Sequence, residues 1–182
     1  MPDKPDTQAK PRARRKTRTP EETARSYFDA IAARDADAMA AHWHAEGIDD
    51  IVPIGVFRGP DEVREQFRET FAAVPDLQML VEDVIVDGRR VAVRWRLTGT
   101  FTGAPFQGIE PNGRRIELRG CDCLEVERGK IVRNTAYFDQ AAFARSIGML
   151  PARDSGAERA MVTAFNAVTK GRALVRDRLG SR

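Results

Sequence analysis

The stretch "RIELRGCDCLEVERGKIVRNTAYFD", Arg115 to Asp139, reads as two long strands joined by a tight turn at Arg128-Gly129. Side chains alternate along a strand, so Ile116, Leu118, Gly120, Asp122, Leu124 and Val126 share one face. Glu117, Arg119, Cys121, Cys123, Glu125 and Glu127 share the other. One carboxylate, Asp122, therefore sits in an otherwise apolar set. On the return strand Ile131, Arg133, Thr135, Tyr137 and Asp139 form one face. A two-residue turn pairs Val126 with Ile131, which sets Asp122 against Thr135 and Leu118 against Asp139. A bulge at Gly129 shifts that register by one. In the unshifted register Asp122 and Asp139 both point into a concave apolar interior.

The same periodicity extends towards the N-terminus. "VPDLQMLVEDVIV" runs as a strand to the hairpin signal Asp87-Gly88 and returns as "RVAVRWRLTGTF". Before it, "IDDIVPIGVF" is strand-like, and Asp61 to Ala73 has a helical stripe of Val63, Phe67 and Phe71. Thr19-Pro20-Glu21-Glu22 is a helix start, with a capping residue, a first-turn proline and two acids that complement the helix dipole. Ala24, Tyr27, Phe28, Ile31 and Ala32 supply that helix's apolar stripe, and Ala36 to Trp43 reads as a second short helix. The predicted order is α-α-β-α-β-β-β-β-α. It implies an α+β fold in which a curved, mainly antiparallel sheet wraps the first long helix.

The chain has 182 residues, 42% of them apolar and 31% charged, enough for one well-buried domain with tails. We expect a basic tail over 1–18, a domain over 19–151 and a helical extension over 152–182. The first segment carries seven basic residues against two acidic ones, within a chain of net charge +3. It lacks apolar periodicity and is expected to be disordered, a solvated tail with at most nonspecific contact to nucleic acid. No apolar run reaches the roughly 18 residues of a membrane span, and no signal-peptide core is present, so a soluble cytoplasmic protein is expected. Cys121-x-Cys123 implies no disulfide framework. In the extension, Met161, Phe165, Val168, Val175 and Leu179 recur at helical spacing beside a basic face of Arg159, Lys170, Arg172, Arg176 and Arg178.

Three segments carry a family resemblance: "ARSYFDAIAARDADAMAAHWHAEG", "FRGPDEVREQF" and "RGKIVRNTAYFD" followed by "FARSIGMLP". Together they resemble the nuclear-transport-factor-2-like superfamily over about Pro20 to Pro151, and within it the SnoaL-like polyketide cyclases and the related ester cyclase proteins. The resemblance implies a cone-shaped α+β barrel around a deep apolar pocket, a homodimer, and no metal or cofactor. In SnoaL-like cyclases an aspartate at the end of the last strand is the general acid/base of an intramolecular aldol closure, and Asp139 stands at the matching place. Limonene-epoxide-hydrolase-like members use an Arg-x-Asp pair, where this chain has Arg94 and then Arg96. Ketosteroid isomerases polarise a carbonyl with a tyrosine and a protonated aspartate, and Tyr27 and Asp122 fall at those positions. Their base precedes a strand proline, where this chain has Val52-Pro53 with Asp49 and Asp50 nearby.

The resulting expectation is a cofactor-free enzyme that moves a proton beside a carbonyl in an apolar, polyketide-like substrate, closing a ring by aldol chemistry. Ketosteroid-isomerase-like double-bond migration and a non-catalytic ligand-binding or dimerisation module are the alternatives. Asp139, Asp122 and Tyr27 are the catalytic candidates. A buried carboxylate loses hydration, so its pKa rises towards neutrality, as suits a proton shuttle. His44, Trp43, Arg94, Tyr137 and Thr135 are the substrate-binding candidates, and no metal ligands are assigned. Each has a structural reading beside the functional one. Asp139 caps the helix that follows it, Asp122 pairs with Arg133, Arg94 or Arg96, Tyr27 and Trp43 fill core, and Arg94 and Arg96 share a solvated face.

Overall fold

A computed structural model of the chain describes residues 17–52 and 54–180. The basic tail expected over 1–18 lies outside the described residues up to Lys16, as does Pro53.

Helix α1 (Pro20–Ala32) begins as the sequence predicts. Thr19 caps it, with Glu22 completing a reciprocal capping box, and Pro20 opens the first turn. Its stripe of Ala24, Tyr27, Phe28 and Ile31 is buried. Helix α2 (Ala36–Ala40) is capped by Asp35 and ends earlier than predicted, because Trp43 already opens strand β1 (Trp43–Ile51). The run read as one strand is a hairpin: β1 turns back into β2 (Gly55–Arg58), pairing Ile51 with Gly55. Helix α3 (Gly59–Ala73) follows, then β3 (Gln78–Asp87), β4 (Arg90–Thr100), β5 (Arg115–Glu127), β6 (Lys130–Phe138) and the short helix α4 (Gln140–Ser146). Helix α5 spans Gly156–Gly180.

The six strands form one mixed sheet in the order β2-β1-β6-β5-β4-β3, with β1 parallel to β6 and the other neighbours antiparallel. Helix α1 crosses the concave face over β3, β4 and β5, while α3 packs on β1 and β2. The core is the apolar layer between these helices and the sheet, including Phe28, Val63, Val91, Val93, Ile116, Leu124 and Ile131. Its burial supplies the main drive to fold.

The β5-β6 register corrects the sequence reading and decides where the site lies. Val126 does pair with Ile131 across the Arg128-Gly129 turn, both turn residues having positive φ. Glu125 then pairs with Arg133, so Val132 is an extra residue on β6, a bulge two residues beyond Lys130 rather than at Gly129. One extra residue moves every later side chain to the opposite face. Asp122 consequently faces Ala136, and Asn134, Ala136 and Phe138 turn inward while Thr135 and Tyr137 turn outward.

Gly120 marks another constraint. It pairs with Trp95 across β4 and β5, and a Cβ built there would lie 2.2 Å from the indole and 2.6 Å from the Tyr137 carbonyl oxygen. The missing side chain is the space the indole occupies. We predict that Gly120→Ala destabilises the fold by about 1–3 kcal/mol, the usual cost of overpacking. Gly156→Ala, at a site with no neighbour within 4 Å, leaves stability nearly unchanged. Urea unfolding followed by tryptophan fluorescence compares the two.

Candidate active site

A cavity of about 130 Å³ opens between the sheet's concave face, α1, α3 and α4. Its wall is largely apolar, with the rings of Phe28, Phe67, Trp95, Phe101, Phe106, Phe138 and Phe143 among aliphatic side chains such as Ile31, Leu77 and Leu118. Its polar lining includes Asp49, Asp122 and Asn134, and among the described residues no Lys, Arg or His lines it.

Those three polar residues come from neighbouring strands. Asn134 on β6 stands directly opposite Asp49 on β1, and the β5-β6 pairing puts Asp122 diagonally beside it. The Asn134 Nδ2 donates to Asp49 Oδ1 at 3.0 Å and to Asp122 Oδ2 at 2.8 Å. The Trp95 indole N–H donates to Asp122 Oδ1 at 2.7 Å. Both Asp122 oxygens are thus engaged, whereas Asp49 Oδ2 and Asn134 Oδ1 are buried without a hydrogen bond from the described residues. Buried polar atoms rarely go unsatisfied, so these two mark where a ligand or water would bind.

Burial raises both carboxyls. Asp122 is pushed up to about 6, against the pull of its bonds from Trp95 and Asn134. Asp49 is pushed up to about 8, first by burial and then by the charge on Asp122, with the Asn134 bond opposing. Of the two, Asp49 is therefore the carboxyl that holds its proton to the higher pH. Such divergence between neighbouring carboxyls is how acid and base roles separate. Tyr27 is fully buried, and burial followed by the charges of Asp49 and Asp122 raises its hydroxyl well above the ordinary phenol value. It stands edge-on to Trp43, ring centroids 6.0 Å apart, behind the cavity wall rather than on it. Neither the Tyr27 hydroxyl nor the Trp43 indole N–H makes a well-formed hydrogen bond.

The remaining candidates lie elsewhere, and each displacement has a physical cause. Asp139 does not point inward: it is exposed at the N-terminus of α4, where its Oδ1 accepts the Ala142 N–H at 2.9 Å. The bulge at Val132 put Thr135 and Tyr137 on the outer face, opposite Cys123 and Cys121. His44 is exposed, its Nδ1 accepting from the Glu46 N–H. His42 is buried but held by Ser26 and Ala38, and burial lowers its pKa. Arg94 and Arg96 share the outer face of β4 and both pair with Glu82, so Asp122 has Trp95 and Asn134 as partners instead of an arginine. Sequence reasoning missed Asp49, Asn134 and Trp95 as a set. The available signal was the alternation of "GIDDI", which places Asp49 with Gly47 and Ile51.

Comparison with known proteins follows from this geometry. The sequence model of the SnoaL-like polyketide cyclases matches residues 21–147. Among solved structures, AclR from Streptomyces galilaeus superposes with a TM-score of 0.67 at 21% identity, covering 84% of this chain and 96% of its own. A SnoaL-like polyketide cyclase from Agrobacterium tumefaciens gives 0.58 at 23% identity, covering 72% and 99%. A protein of ketosteroid-isomerase-like fold from Catenulispora acidiphila, in complex with trimethylamine, gives 0.61 at 17% identity, covering 72% and 95%. No curated protein matches the chain. At these identities the structures establish the fold. Among the described residues no helix is long and apolar enough to cross a membrane.

The raised Asp49 carboxyl makes stability depend on pH. Between its ordinary value of 3.8 and about 8 the folded chain keeps a proton that the unfolded chain has released. Stability therefore falls as pH rises through that window, by up to about 1.4 kcal/mol per pH unit for one group. Asp49→Asn removes this component. We predict that the wild type loses more stability than Asp49→Asn between about pH 5.5 and about pH 8.5 in urea titrations. Parallel losses would contradict the assignment.

Proposed function

The chain belongs to the SnoaL-like polyketide cyclase family, and we propose that its cavity closes a ring in a neutral, apolar polyketone by moving a proton beside a carbonyl, with Asp49 as general acid/base. The observation that carries this reading is the buried, unpartnered Asp49 Oδ2 at the polar end of an aromatic cavity. In the proposed step the ionised fraction of Asp49 takes a proton from carbon adjacent to a carbonyl, and the C–H electron pair becomes an enolate. The enolate carbon forms a bond to a second carbonyl carbon of the same molecule. The resulting alkoxide receives the proton back from Asp49, so the enzyme is restored. A base with a pKa near 8 is stronger than an ordinary carboxylate yet partly ionised at neutral pH. Asp122 keeps that pKa high through its charge, and Asn134 positions both groups.

Of the residues singled out from sequence, Asp122 and Tyr27 stay in the proposal, Asp122 as tuning charge and Tyr27 as the neutral hydroxyl behind the pair. The base is reassigned from Asp139 to Asp49. Double-bond isomerisation is the second reading, favoured by the same pair of raised carboxyls, with Tyr27 set behind the cavity wall. It shares the first step and differs in returning the proton to carbon.

Solvent deuterium uptake into a panel of polyketide-like and steroid ketones, read by mass spectrometry, tests the proposal. We expect exchange with the wild type and with Asp139→Asn, and a loss of about 10²-fold or more in Asp49→Asn, the usual contribution of a general base. The exchange rate should rise with pH towards about 8 and then level. Exchange that survives in Asp49→Asn, or that vanishes in a folded Asp139→Asn, overturns the assignment. Saturable ligand binding without exchange in any chain favours the binding-module reading.

A further inference from the structure

Helix α5 stands apart from the pocket and from the family fold. The family match ends at Ile147, and α5 begins at Gly156. Its first turn is anchored, Glu158 pairing with Arg145 at 3.3 Å and accepting the Asp154 N–H. Beyond that turn every residue from Arg159 to Arg172 is exposed, including Phe165 at 70% and Val168 at 55%. Their described side-chain hydrogen bonds beyond Arg159 run within the helix, from Thr163 to Arg159 and from Thr169 to Phe165. A helix of 25 residues is about 37 Å long at 1.5 Å per residue, and most helical stability in proteins comes from packing an apolar face.

The spacing of its apolar residues indicates what that face fits. Met161, Phe165, Val168, Arg172, Val175 and Leu179 alternate by four and three residues. This four-three spacing is that of a two-helix coiled-coil seam, with the exposed Val162 at its edge. The sequence also selects the orientation. The first half of α5 is balanced, with Glu158 and Arg159, whereas the second holds Lys170, Arg172, Arg176 and Arg178 against Asp177. Two parallel copies would stack their basic halves and put Arg172 beside Arg172 inside the seam. An antiparallel pair with its dyad between Phe165 and Val168 maps the stretch Met161, Phe165, Val168 and Arg172 onto itself. Phe165 then meets the partner's Val168, and Met161 meets the apolar stem of the partner's Arg172, whose charged end points towards Glu158. Opposed helix dipoles favour the same arrangement.

We propose that α5 is a self-association element that pairs antiparallel with α5 of a second copy of this chain through the Met161–Phe165–Val168–Arg172 seam. The proposal is independent of the pocket chemistry.

Two measurements on the full chain test it. The first is light scattering across a dilution series. Phe165→Glu, an exposed substitution outside the domain, should weaken self-association about tenfold or more, since it buries a charge in an apolar seam. The second is oxidative cross-linking in a Cys121→Ser, Cys123→Ser background. Met161→Cys mixed with Arg172→Cys should give a cross-linked dimer, whereas each alone should give none, its two copies lying about 16 Å apart along the axis. Cross-linking by Met161→Cys alone would establish a parallel pair and overturn the orientation. Unchanged association of Phe165→Glu with no mixed cross-link would overturn the pairing itself. Flotation with phosphatidylserine-containing vesicles that is lost in Phe165→Glu, again without a cross-link, would assign the seam to a membrane instead.

Discussion

One amide nitrogen holds the polar end of the cavity together. Asn134 Nδ2 bonds to a carboxylate on each side, Asp49 on β1 and Asp122 on β5, and so joins the two halves of the sheet at the strand that separates them. Two carboxyls at such proximity disfavour joint ionisation, because like charges repel. The bridge therefore does more than satisfy hydrogen bonds. It fixes one proton on the pair, and the uneven engagement of the two side chains decides where that proton resides. Asp122 has both oxygens bonded by N–H groups, which favours its charged form, while Asp49 has one oxygen bonded and one free.

This arrangement depends on backbone features far smaller than a domain. Asn134 faces inward because Val132 is bulged, and Trp95 reaches Asp122 because Gly120 opposite it has no side chain. Remove the bulge and Thr135 would occupy the face where Asn134 stands, leaving two buried carboxylates with no shared donor. Fill the gap at Gly120 and the indole N–H moves away from Asp122. The parallel pairing of β1 with β6 is equally necessary, because it sets Asp49 level with Asn134. The apolar wall then buries the polar groups, which strengthens each of these interactions and raises both carboxyls.

The elements were legible in the sequence where a periodic pattern was long and uninterrupted. The cap and stripe of α1, the hairpins at Asp87-Gly88 and Arg128-Gly129, and the inward face of β5 with Asp122 all followed from alternation and turn chemistry. Legibility failed at single-residue irregularities. "KIVRNTAYFD" carries no mark that Val132 bulges, and because strand faces have a period of two, that one residue exchanged Asn134 for Thr135 and Tyr137 as inward groups. In "GIDDI" two adjacent aspartates lie on opposite faces, and alternation sets Asp49 with Gly47 and Ile51 but Asp50 with Ile48, so the choice of Asp49 as the buried one needed the folded sheet. Asp139 illustrates a different ambiguity. A carboxylate between a strand and a helix suits a cap as well as a pocket, and its bond to the Ala142 N–H is the cap.

The electrostatics of the cavity also constrain what can occupy it. Among the described residues its walls offer no cationic side chain, and its polar end holds the two carboxyls, of which Asp122 ionises first. A ligand bearing a carboxylate or phosphate inside this space would face that charge with nothing to offset its own lost hydration. Neutral oxygen is different. A carbonyl accepts from a protonated Asp49, and a hydroxyl donates to the free Asn134 Oδ1, so the two unpartnered atoms match a substrate whose oxygens alternate between these forms. Keto and enol tautomers of one neutral molecule satisfy both in turn. The same asymmetry that holds a single proton on the carboxylate pair thus favours a ligand whose own reaction consists of relocating one.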